Sequence, residues 1–205
     1  MLTLLLSVCV AMAAQTTAKE VIALLKDAMY IMDDSNPGPL SYTMNIKAMG
    51  FSMDAHVYKA GGKEFAEALD GKQYVDFSTG IAHTVNDKER TITISKRQTS
   101  DKKKEYTIND DGSFSDEKYC YTFKNEKNGT VSVTGKKLPT CKDKSTPDKI
   151  SASIFTATRQ FEHIKMSLGL INTTIKITGV KHTCDPSIVT LNLADYSNYT
   201  IVDKR

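Results

Sequence analysis

Four histidines, four cysteines, an acidic turn cluster and a Gly-Gly-Lys sequence are the parts of this 205-residue chain whose side chains could do chemistry. His56, His83, His163 and His182 show no His-x-x-x-His or His-Glu-x-x-His spacing. His182 and Cys184 could supply two metal ligands, whereas zinc sites use three or four. As a base and nucleophile the same pair fails, because residues two apart on a strand project side by side without converging. Asn109-Asp110-Asp111-Gly112 hints at a calcium loop. With Gly112 at the sixth position, Thr107 and Lys118 fall at the first and twelfth, and the ligand pattern breaks. Gly61-Gly62-Lys63 is followed by glutamate and lacks the spacing of a phosphate cradle. A G-x-S-x-G nucleophile elbow is also missing. No catalytic group, metal or cofactor is expected, so the chain is read as a binding protein and not an enzyme.

Charge points the same way. Lysine and arginine number 27 against 24 aspartates and glutamates, a net charge of +3. That balance argues against nucleic acid as a partner. Lys102-Lys103-Lys104 and Lys136-Lys137 sit among turn residues and read as solvated loops. What remains is non-directional chemistry, the burial of an apolar ligand. Methionine suits that task because its side chain is unbranched and polarisable.

The elements that must position such residues are legible from periodicity. Val21, Leu24, Leu25, Ala28, Met29 and Met32 recur at spacings of three and four within Ala18 to Met32, which predicts one helix with an apolar face. Thr17 and Glu20 form a capping box at its start, and Asp33 to Pro39 carries the breakers that end it. From Leu40 the period becomes two. Strands are predicted at Leu40–Ala48, Phe51–Val57, Glu64–Leu69, Gln73–Phe77, Gly80–Val85 and Arg90–Ser95, with tight turns such as Asp70-Gly71 between them. Gln98 to Glu117 reads as a long exposed loop with one short strand. Tyr119–Phe123, Thr130–Thr134, Lys149–Thr158, Gln160–Ser167, Ile171–Val180, Ile188–Leu193 and Tyr199–Val202 are strand-like again. The fold class is mainly β (α+β): a strongly curved antiparallel sheet or unclosed β-barrel of about eleven strands, plugged by the N-terminal helix.

The expected cavity lining follows from these faces. The helix contributes Met29 and Met32, and the first strand Tyr42, Met44 and Ile46. The second contributes Phe51, Met53 and Val57, and the third Phe65. Ile92 and Ile94 come from the sixth, and Met166, Ile175 and Ile177 from two late strands.

Residues 1–14 form an apolar run ending in Ala11-Met12-Ala13-Ala14, the pattern of a secretory signal peptide. No Lys or Arg precedes the run, and a membrane anchor or a lipid-modified Cys9 are the alternatives. The mature chain, 15–205, is expected to be one domain in the periplasm. Export implies an oxidising compartment, and Cys120 and Cys141 flank a predicted hairpin at Asn128-Gly129, which favours a disulfide between them. Cys184 is then left over.

The residues also carry a resemblance. Gly50-Phe51-Ser52-Met53-Asp54, Val57 to Phe65 through Lys59-Ala60-Gly61-Gly62-Lys63, and Leu69-Asp70-Gly71-Lys72-Gln73-Tyr74 resemble the early hairpins of the outer-membrane lipoprotein carriers, the LolA/LolB-like family. Ala194 to Arg205, with Val202-Asp203-Lys204-Arg205 after an aromatic and a turn, resembles that family's closing segment. The resemblance implies an unclosed barrel lidded by helices and an apolar cavity for lipoprotein acyl chains or other lipid. It implies a monomer that meets inner- and outer-membrane sorting proteins. Two features depart from the family: the first arginine is Arg90, so no early-strand arginine matches its latch, and no helical lid is evident between Gln98 and Asp148. A second reading keeps the fold and replaces the carried ligand with a protein partner.

Overall fold

The computed structural model describes residues 16–69, 71–97 and 105–205. The signal-peptide segment 1–14, Asp70 of the Asp-Gly turn and Lys102-Lys103-Lys104 lie outside the described residues.

Helix α1 spans Ala18–Tyr30. The Thr17 hydroxyl accepts from the Glu20 amide while the Glu20 carboxylate accepts from the Thr17 amide, so two orphan donors of the first turn are satisfied. Its apolar stripe of Val21, Leu24, Leu25 and Ala28 is buried. Among the described residues fourteen strands follow, all in one sheet. They are β1 Leu40–Ala48, β2 Phe51–Ala60, β3 Lys63–Ala68, β4 Gly71–Asp76, β5 Ile81–Asn86, β6 Thr91–Lys96, β7 Thr107–Ile108, β8 Phe114–Ser115, β9 Tyr119–Asn125, β10 Thr130–Lys137, β11 Lys149–Phe155, β12 Gln160–Leu168, β13 Ile171–Lys181 and β14 Thr200–Asp203.

The spatial order is β14-β6-β5-β4-β3-β2-β1-β13-β12-β11-β10-β9-β8-β7, and the sheet curls around α1 without closing. β13 returns beside β1, which joins an early meander (β1–β6) to a late one (β7–β13). The concave side beneath α1 holds the main core, including Tyr42, Val57, Phe114, Tyr121, Val133, Ile154, Phe161 and Ile177.

Five expectations change in detail. Lys136-Lys137, read as a solvated loop, closes β10, and the Lys137 ammonium donates to the Asp143 and Thr146 carbonyl oxygens. Ile188–Leu193 is not a strand: Asp185 caps the Ser187 amide at 2.9 Å, turns follow Pro186, and a 3₁₀ turn occupies Leu193–Tyr196. The polar segment before Glu117 holds two strands, and Phe114 of β8 is fully buried. β14 runs parallel to β6, where an antiparallel strand was expected. All three described cysteines are free. Cys120 projects from β9 opposite Tyr119 and Tyr121 and approaches Ser113 at 3.9 Å, while Cys141 lies in the loop after β10, its amide donating to the Leu138 carbonyl oxygen.

Candidate functional site

The concave face has two unlike halves. Across β9–β12 the strand register aligns Tyr121, Gly135, Ile150 and Met166, then Phe123, Val133, Ala152 and Ile164. Leu25, Met29 and Met32 of the helix segment face this wall. Between helix and wall lies a cavity of about 190 Å³ whose other lining residues include Tyr106 and Phe161. Gly135 is the narrow point: a Cβ there would stand 2.7 Å from the Tyr121 ring and 2.9 Å from Ile150. A strand glycine of this kind keeps open a space that any other side chain would fill. The Tyr121 hydroxyl donates to the Asp116 carboxylate at 2.7 Å, which leaves its ring as apolar wall. Burial, then that bond, drives the Tyr121 pKa well above the ordinary range. Burial also pushes Tyr106 up to about 12. The polar tips of this wall are therefore neutral and spoken for.

The other half, across β1–β6, is a trough of about 490 Å³ lined by Met32, Tyr42, Met44, Val57, Ala66 and Ala82, with Gln73 in the row of Val57 and Ala66 and with Glu64, Ser95 and Arg97 at its polar end. Met32 borders both spaces. Lys59 is 0% exposed at this end. Its ammonium donates to the Asp33 carbonyl oxygen at 2.8 Å and lies 3.3 Å from Glu64. Arg97 pairs with Asp34 at 2.9 Å and approaches Glu64 at 3.5 Å. Two cations of the sheet thus hold the segment that leaves α1. At the helix's other side, Asp27 pairs with Arg159 of the β11–β12 turn, beside a hollow of about 380 Å³ that also reaches Tyr30 and His182.

Sequence reasoning missed this ion cluster because it sought an early-strand arginine. The signal was present: Lys59 shares the strand face of Val57, two residues before it.

The residues expected to line the cavity divide into three groups. Met29, Met32 and Met166 border the apolar cavity, and Met32, Tyr42, Met44 and Val57 border the trough. Ile46, Met53, Ile175 and Ile177 continue the same face along β1, β2 and β13, with Ile46 paired to both Met53 and Ile175. Phe51 has that orientation but lies at the sheet's rim, 57% exposed. Phe65, Ile92 and Ile94 require correction, because register places them on the convex side. There Phe65 aligns with Tyr58, Tyr74, His83 and Ile94, and Ile92 with Val85. Phe65 packs with Ala60 and Val189 of the C-terminal segment, against which Tyr58, Tyr74 and Cys184 also pack. Burial, with Arg205 nearby, holds His83 below its ordinary pKa. The C-terminal segment covers Phe65 on this convex side, and the larger apolar set of β3–β6 faces away from the helix.

Among the described residues, no group of three or more His, Cys, Asp or Glu side chains could hold a metal ion. No helix of the described residues is long and apolar enough to cross a membrane.

No family model and no curated protein matches the sequence. Solved structures similar in fold include two. An uncharacterized conserved protein from Thermus thermophilus is 12% identical, with a TM-score of 0.52 over 90% of this chain and 99% of that one. MucB is 11% identical, with a TM-score of 0.50 over 91% of this chain and 66% of its own. At these identities the likeness is one of fold: a large curved, unclosed β-sheet around an N-terminal helix.

Proposed function

We propose that this protein is a periplasmic carrier that binds the acyl chains of lipoproteins, or other lipid, beneath α1 for sorting to the outer membrane. It acts as a monomer, without a cofactor and without catalysis. The observation that supports this reading best is the apolar cavity between α1 and β9–β12, kept open by Gly135 and bordered by three methionines. Each methylene that enters gains roughly 0.8 kcal/mol, so eight would supply about 6 kcal/mol before ordering costs. The trough on the other side of Met32 carries polar groups, which fits a ligand with an apolar tail and a polar head.

Titration with a fluorescent fatty acid tests the proposal. The wild-type protein should saturate near one ligand per chain. Met166→Gln, on the cavity wall, should weaken uptake, while Phe65→Leu on the convex side should leave it unchanged. Equal uptake by both variants, or none by the wild type, would sink the reading. In the latter case a protein partner at the same fold becomes the better account.

A further inference from the structure

Two neighbouring hairpin tips carry large apolar side chains into solvent. The β1–β2 tip presents Met49, 79% exposed, and Phe51. The β12–β13 tip presents Leu168, Leu170 and Ile171, with Leu170 99% exposed. The tips are side by side, because Ala48 pairs with Phe51 on one flank and with Thr173 on the other, while Ile171 pairs with Leu168. Single exposed apolar residues are ordinary, but five on adjacent tips form a patch of the kind that marks an interaction surface.

Turn chemistry sharpens the point. Met49 and Gly50 form a two-residue turn with φ of 49° and 80°. Such a turn favours Asn-Gly, and a methionine in the left-handed region is strained. Gly169, at φ 56°, holds the first position of the other two-residue turn and leaves Leu170 at its apex. A soluble tip would be polar at both places. These turns hold methionine and leucine.

The outward faces of the same strands supply charge. Lys47 and Lys165 project near the tips from β1 and β12, Lys149 opens β11 opposite Ser167, and Lys176 follows five residues behind Ile171 on β13. All four are exposed, and among the described residues none is ion-paired. The exposed acids nearby are Asp54 and Asp148, the latter accepting from the Gly169 amide of the tip at 3.1 Å, so lysines outnumber them by two to one. Apolar tips ringed by lysine stems are complementary to an anionic lipid interface, where the tips enter the acyl boundary and the ammonium groups stay at headgroup level. Behind the tips, Ile46, Met53 and Ile175 lead along the concave face toward Met44 and Ile164.

We propose that the Met49–Phe51 and Leu168–Ile171 tips dock this protein on a bilayer of anionic lipid, with the open end of the concave face turned to the membrane. This goes beyond the carrier reading and does not depend on it.

Vesicle flotation tests it. The described fold lies wholly within residues 16–205, so the protein from Gln15 onward is the species to use. It should float with vesicles of equal parts phosphatidylglycerol and phosphatidylcholine and much less with phosphatidylcholine alone. Met49→Asp/Leu170→Asp alters only exposed turn residues and should keep the wild-type circular dichroism. Its vesicle affinity should fall at least roughly tenfold, the factor that losing one large apolar anchor corresponds to. Lys47→Gln/Lys165→Gln/Lys176→Gln should abolish the preference for anionic vesicles. Fatty-acid uptake by the folded variants should remain at the wild-type level, which keeps this test separate from that of the carrier. Failure of the wild type to float, or equal flotation of the Asp variant, would overturn the proposal and leave the patch to a protein partner.

Discussion

Replacing Lys59 by methionine keeps the length of the stem and removes its charge from the end of the trough. In the native protein this ammonium is fully buried, donates to the Asp33 carbonyl oxygen at 2.8 Å and lies 3.3 Å from Glu64. Removing one partner of a buried ion pair costs about 3–5 kcal/mol, because the other is left uncompensated. Two features favour the lower end. Arg97 stays 3.5 Å from Glu64, and the Glu64 side chain keeps 12% exposure. The expected loss is about 3 kcal/mol, which lowers Tm by roughly 6–12 °C for a protein of this size. Urea unfolding followed by circular dichroism measures it, since the chain has no tryptophan. Lys59→Met/Glu64→Leu should be less damaging than the sum of the single changes, with a coupling above about 1 kcal/mol. A loss below about 1 kcal/mol, or additive single effects, would refute the view that this cluster holds the exit of α1 to the sheet.

Further outcomes follow from other parts of the structure. Gly135→Ala drives a methyl group into Tyr121 and Ile150; overpacking of this kind costs about 1–3 kcal/mol, and fatty-acid uptake should fall as the cavity narrows. Thr17→Ala removes the capping box and should cost about 1 kcal/mol of stability, read from the same urea curves. Phe65→Ala should cost about 3–5 kcal/mol by opening the convex layer beneath Val189 while sparing ligand uptake. The Asp143 carboxylate accepts from Ser145 and Thr146, and the Ser145 bond leads in holding its pKa at about 2. A carboxylate depressed in the folded state stabilises above its unfolded pKa of about 4 and loses that contribution as pH falls toward 2. Asp143→Asn should therefore flatten acid destabilisation in that window, and an unchanged acid profile would remove the loop from the account.

Where the sequence was readable, the period of the hydrophobic pattern carried the information. Thr17 and Glu20 announced the helix start, and the alternation around Met44 and Met53 announced a curved sheet. Alternation separates a strand's two faces without saying which is inside. On β3–β6 the larger side chains, Phe65, Ile92 and Ile94, lie on the convex side, where Phe65 packs against Val189. The helix side carries Ala66, Val75 and Ala82 with the Lys59–Glu64–Arg97 cluster. The expected lining therefore took the wrong face there. Phe114 escaped notice because a two-residue strand is too short to show any period. The disulfide expectation rested on chain proximity alone, and the Cys120 thiol instead approaches the Ser113 hydroxyl. The exposed tips were invisible for the opposite reason: Met49, Phe51 and Leu170 look like strand ends until exposure is known.

The claim that this fold holds an apolar ligand is tested most directly by native mass spectrometry of the protein purified from its own periplasm, followed by lipid extraction. The predicted result is an acylated peptide or lipid at near one per chain, released when Met166 is replaced by glutamine. An apo mass, with no uptake of fatty acid on titration, would contradict it.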